Sequence, residues 1–110
     1  MPTLNPFNAK AYTLSIAVTS TASTSINLPG IGNSLRIVSE GPSIAFFSVG
    51  LGTQVATVPP TTYPASSTST PISNGTDITL TIPNDAVYQI SAICRAAGTA
   101  TLNVQVSEGV

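Results

Sequence analysis

From Tyr12 to Val18 apolar and polar side chains alternate one for one. Tyr12, Leu14, Ile16 and Val18 fall on one side of an extended chain, and Thr13, Ser15 and Ala17 fall on the other. A period of two marks a strand with one buried face, and it recurs along most of this sequence. Ile26 and Leu28 repeat it briefly. Leu35 and Ile37 oppose Arg36 and Val38; Ile78, Leu80 and Ile82 oppose Thr79 and Thr81. Tyr88, Ile90, Ala92 and Cys94 form one face of a further strand, against Val87, Gln89, Ser91 and Ile93. In the last strand Ala100, Leu102, Val104 and Val106 face inward, and Thr101, Asn103, Gln105 and Ser107 face outward. β-Branched residues are abundant; they pack well on a pleated surface and lose side-chain freedom in helices.

Between these segments stand turn residues. Pro29-Gly30-Ile31-Gly32-Asn33, Glu40-Gly41-Pro42 and Gly50-Leu51-Gly52 break the pattern, and Asn74-Gly75 is a strong turn pair. Residues 43–49 are apolar on both faces, which places them centrally or reserves one face for a partner. Residues 53–58 read as a strand. Residues 59–71 carry four of the nine prolines and read as a long loop, since a central strand cannot spare those ladder donors. The outcome is an all-β chain, a jelly-roll-like β-sandwich of about eight antiparallel strands. Alternation alone leaves an immunoglobulin-like arrangement open. Residues 11–110 form one domain, and residues 1–10, which lack alternation, form an N-terminal arm, frayed or tied down on a neighbour.

Charge narrows the partners. Of 110 residues only seven are charged, Lys10, Arg36, Arg95, Glu40, Asp77, Asp85 and Glu108, whereas a soluble domain carries about 25%. Thirty residues are Ser or Thr, so the polar surface is neutral. Three dispersed cations cannot neutralise a run of phosphates, so nucleic acid is not expected as a partner. A polybasic membrane anchor is unexpected on the same ground, and the apolar run near residues 44–51 is too short to span a bilayer. No secretory signal is visible at the N-terminus, and the lone Cys94 cannot close an internal disulfide, so synthesis in a reducing cytoplasm is expected.

The residues that make and break bonds are scarce. There is no histidine, which removes Ser-His-Asp and Cys-His machinery and the commonest metal ligand. Cys94 occupies an inward strand position, where a free thiol behaves as a small hydrophobe. Asp77 and Asp85 each flank a turn and read as local caps rather than an acid–base pair. Gly30-Ile31-Gly32 and Gly50-Leu51-Gly52 do not lead into a helix as phosphate loops do, and both read as hairpin turns. Asn74-Gly75-Thr76 matches a glycosylation sequon but reads as the turn alone. Neither an enzyme, a cofactor nor a metal is expected. The candidate contact residues are aromatic: Phe7 in the arm, Tyr63 in the Pro-rich loop, and Phe47. The pair Phe46-Phe47 must put one ring on each face of its strand, so one is core and the other is second-layer core or an interface anchor.

Several segments between residues 35 and 110 share a pattern with small proteins of phage heads. These are Leu35-Arg36-Ile37-Val38-Ser39-Glu40-Gly41, Ala45-Phe46-Phe47-Ser48-Val49-Gly50 with a Thr/Val segment through Val58, Ile78-Thr79-Leu80-Thr81-Ile82-Pro83-Asn84 and Ile93-Cys94-Arg95-Ala96-Ala97-Gly98-Thr99-Ala100-Thr101-Leu102-Asn103-Val104, with the terminal Ser107-Glu108-Gly109. The pattern resembles the decoration, or cement, proteins on the outside of tailed-bacteriophage capsids. It covers roughly two-thirds of the chain and rests on framework residues, so it transfers fold and role but no site. What it implies is a homo-oligomer on the outer capsid surface, bridging neighbouring major capsid protein subunits after synthesis in the host cytoplasm. A homodimer is the favoured assembly and a trimer the alternative. Other roles compatible with the residues are a tail, fibre or baseplate component, and a carbohydrate-binding adhesion module.

Overall fold

The computed structural model describes residues 8–9, 13–60, 64, 66–82 and 86–108. Nine strands lie among them: β1 (Asn8–Ala9), β2 (Leu14–Val18), β3 (Ile26–Asn27), β4 (Ser34–Glu40), β5 (Ala45–Gly50), β6 (Thr70–Ile72), β7 (Asp77–Thr81), β8 (Gln89–Cys94) and β9 (Ala100–Glu108). β1 and β2 follow one another along β9 and act as one interrupted strand. With that pair counted once, the chain is a ribbon doubled back on itself. β2 pairs with β9, β3 with β8, β4 with β7 and β5 with β6, all antiparallel. Rolling the ribbon up adds the β4–β9 and β5–β8 ladders. The result is a five-stranded sheet facing a four-stranded one in the order β3-β8-β5-β6. This nesting is a jelly roll, and it decides the topology that alternation left open.

The core lies between the sheets because each ladder puts the apolar set of one strand opposite that of the next. Leu35 stands between Val106 and Leu80, and Ile37 between Val104 and Ile78. Ala45, Phe47, Ile90, Ala92 and Cys94 face them from the other sheet. A slip of one residue would send all of these to solvent, so burial sets the register. Leu35, Ile37, Ile90 and Leu102 are fully buried; cutting any of them back to Ala is worth about 2–5 kcal/mol.

Three expectations change. Residues 53–58 are not a strand: they run past the outside of the four-stranded sheet without joining a ladder. The Pro-rich loop ends earlier than residue 71, because β6 begins at Thr70. β6 tolerates Pro71 because it is an edge strand, paired only with β5. Neither G-x-G pair closes a hairpin, since the first links β3 to β4 in the opposite sheet and the second leads from β5 into residues 53–58. Gly32 is needed at its position because a Cβ there would run into the backbone of Ser107 in β9. Of the assigned arm, Asn8 and Ala9 pair with Glu108 and Ser107; residues 1–7 and 10 lie outside the described residues.

Candidate functional site

Alternation along β5 and β8 sends Phe46, Ser48, Ser91 and Ile93 to the outer face of the four-stranded sheet. Residues 53–60 lie across that face. Pro59 and Pro60 cannot donate to a ladder, and the segment has no neighbouring strand, so its N–H groups find serine hydroxyls. Gln54 N donates to Ser25 Oγ at 2.9 Å, Ala56 N to Ser91 Oγ at 3.1 Å and Thr57 N to Ser69 Oγ at 2.9 Å. Gln54 Oε1 accepts from Ser48 Oγ at 2.6 Å. Ala56, within the crossing, is itself buried. Much of the serine content thus serves backbone groups that a sheet would otherwise satisfy.

Where the crossing ends, Arg95 stands at the end of β8. Its guanidinium lies 5.6 Å from the centroid of the Phe46 ring, and Nη1 donates to Pro59 O at 2.9 Å. It thereby tethers the crossing segment and caps an aromatic face, a cation–π contact. Among the described residues no carboxylate pairs with it. Two open hollows flank the side chain. One, of about 300 Å³, is lined by Ser43, Ile44, Phe46, Ala96 and Gly98; the other, of about 470 Å³, by Val58, Pro59, Pro60 and Ala96. Exposed Ile44 borders the first. A cation between two mainly apolar hollows can receive an acidic group with an apolar neighbour from another protein.

The outer face of the five-stranded sheet differs: it is closed at one end, where Ser34 and Ser107 are buried, and exposed around Ser15, Glu40, Asp77 and Thr79. Ser15, Asn103 and Glu40 are linked across it: Ser15 Oγ donates to Asn103 Oδ1 at 2.6 Å, and Asn103 Nδ2 to Glu40 Oε2 at 2.7 Å. Arg36 grips Asp77 with two bonds, Nε to Oδ1 at 3.0 Å and Nη2 to Oδ2 at 2.6 Å. That grip, chiefly through the hydrogen bonds, holds the Asp77 carboxyl below the usual carboxylate range. The face is therefore polar and nearly neutral, with Glu40 and Asp77 engaged by Asn103 and Arg36, while the buried Ser107 hydroxyl has no hydrogen-bond partner among the described residues.

Of the three contact candidates, Phe7 and Tyr63 lie outside the described residues. Phe47 is corrected: it is 3% exposed and packs between the sheets with the core, so its ring cannot anchor a partner. Its neighbour Phe46 takes the outer position and is closed over by Arg95, which alternation could not foresee because Arg95 is distant in sequence. Asp77 is bound to Arg36 rather than to a turn, and Asp85 lies outside the described residues. Asn74 does sit in the turn between β6 and β7, where Oδ1 accepts the Gly41 N–H at 2.7 Å. Cys94 is buried, and desolvation pushes its thiol pKa up. Among the described residues no group of three or more Cys, Asp or Glu converges on a point where a metal could bind, and no helix is long and apolar enough to cross a membrane.

No family model and no curated protein matches the chain. A solved structure does: the crystal structure of PirA aligns with a TM-score of 0.51 and 15% identity, over 87% of this chain and 94% of that one. At that identity the likeness is one of fold.

Proposed function

We propose that this protein is a non-enzymatic structural component of a virion that binds the outside of a tailed-phage capsid and holds neighbouring major capsid subunits together. The observation carrying the reading is the exposed part of the outer face of the five-stranded sheet, where Ser15, Glu40 and Asp77 offer polar groups that are already paired. Protein interfaces are depleted of charge at their centres, and the two charged carboxylates on this face are engaged by Asn103 and Arg36. The Arg95 hollows supply one further charged anchor. The phage-head pattern in residues 35–110 and the jelly roll support the same role.

In this reading the mechanism is linkage. A protein that binds only the assembled shell stabilises it, and many copies at symmetric positions turn weak contacts into firm retention. The test uses shells that lack the protein. Adding it back should raise their melting temperature, and cryo-electron microscopy should show a regular array on the capsomers. Unchanged melting, or density confined to the tail, would sink the reading.

A further inference from the structure

We propose that β7 is a docking edge for a second copy of this chain, two copies pairing β7 to β7 antiparallel about a two-fold axis at Thr79. The two five-stranded sheets would then run on as one. This inference concerns the isolated protein and stands apart from the capsid role.

The argument begins with backbone parity. β4 and β7 are antiparallel, with Ser34 opposite Thr81 and Val38 opposite Asp77. Two bonds just beyond the ends of this ladder fix its phase: Ile82 N donates to Asn33 O at 3.1 Å, and Ser39 N to Thr76 O at 2.9 Å. Hydrogen-bonded pairs fall on every second residue of an antiparallel ladder. Ile78, Leu80 and Ile82 therefore spend their backbone groups on β4, while Asp77, Thr79 and Thr81 aim theirs at the open margin. β7 ends its sheet, and no described strand lies beyond it.

Natural edges are guarded by Lys, Pro, a bulge or extreme shortness. β6, the corresponding edge of the other sheet, has Pro71; β3 has two residues. β7 has five residues, unbroken pairing with β4, and a single charge that Arg36 already engages. Its inward Ile78 and Leu80 are only partly buried where the core meets the margin, so an added strand would cover them further.

The strand also complements itself. With the axis at Thr79, Thr79 faces its own copy, Ile78 faces Leu80, and Asp77 faces Thr81. No like charges meet, and Thr–Thr and aliphatic pairs are favourable cross-strand neighbours. The facing pairs at 77, 79 and 81 each exchange both bonds, which is the pattern of β-augmentation. A two-fold contact of this kind closes after two copies instead of growing into a fibre.

The full chain should sediment as a dimer at micromolar concentration without any capsid present. Thr79→Pro removes an N–H that β4 does not use, so the folded variant should dimerise at least about tenfold more weakly. Thr79→Lys is the second variant, should Thr79→Pro not fold. A short bis-maleimide should couple two copies of Thr79→Cys and leave Ser15→Cys, on the opposite margin at β2, uncoupled. A folded monomer at high concentration overturns the proposal. So does a dimer that survives Thr79→Pro, or one that couples through Ser15→Cys. Shell melting is a separate measurement, so either proposal can fail alone.

Discussion

The hydroxyl of Ser91 accepts the backbone N–H of Ala56 at 3.1 Å, beneath a stretch of chain that belongs to no ladder. The same hydroxyl donates to Ser23 O at 2.8 Å, so one buried side chain closes two backbone groups from two separate segments. Ser91→Ala leaves both unpaired and should destabilise the fold by about 1–3 kcal/mol. Ser39 makes the opposite case, since its buried hydroxyl has no hydrogen-bond partner among the described residues. Ser39→Ala should be neutral or stabilising. Urea unfolding of the two variants checks the contrast, and equal losses would refute it.

Arg95 holds the end of that crossing segment through Pro59 and the Phe46 ring. Arg95→Ala should cost about 1 kcal/mol, the scale of an exposed cation–π contact with one exposed hydrogen bond. Arg95→Lys should fall between Ala and the parent, because one ammonium cannot both cover the ring and keep the planar fork. The readout is the denaturation midpoint, with an unchanged slope showing that only stability moved.

Asp77 gives the protein an acid-sensitive bond. Its folded pKa lies below the ordinary 3.8 because Arg36 donates to the ionised form. The stabilisation is therefore present above that ordinary value and is lost as pH falls through the lowered, folded one. Asp77→Asn should matter little at neutral pH, since the pair is exposed, and should flatten the loss of stability below about pH 4. Melting temperature against pH for both proteins reads this directly.

A Cβ at Gly32 would collide with the carbonyl of Ser107, which also accepts the Asn33 N–H at 3.0 Å. Neither backbone can withdraw without breaking the β4–β9 ladder. Gly32→Ala should cost about 1–3 kcal/mol, as overpacking does. Gly75→Ala, where no atom crowds the added carbon but φ is +83°, should act only through backbone strain.

Cys94 is buried, and its thiol is held protonated by desolvation. Thiol reagents should label it slowly in the native protein and rapidly once urea unfolds the chain. Fast native labelling would place it at the surface instead.

Local chemistry explains which parts of this fold could be read from the residues. Alternation in β4, β7, β8 and β9 is a property of consecutive side chains, and a core that must be dry on one face turns it directly into strand positions and inward faces. Asn74-Gly75 likewise carries its turn within two residues. The stretch from 53 to 58 has the composition of a strand, yet what it becomes depends on distant partners. Ser25, Ser69 and Ser91 supply its hydrogen bonds, and no local pattern announces them. Phe46 and Phe47 make the same point, because alternation guarantees opposite faces while only the stacked sheets and the reach of Arg95 decide which ring meets the core. Pairing between strands far apart in the chain, such as β2 with β9, comes from long-range burial, and so the jelly-roll order and the open margin at Thr79 belong to the tertiary structure alone.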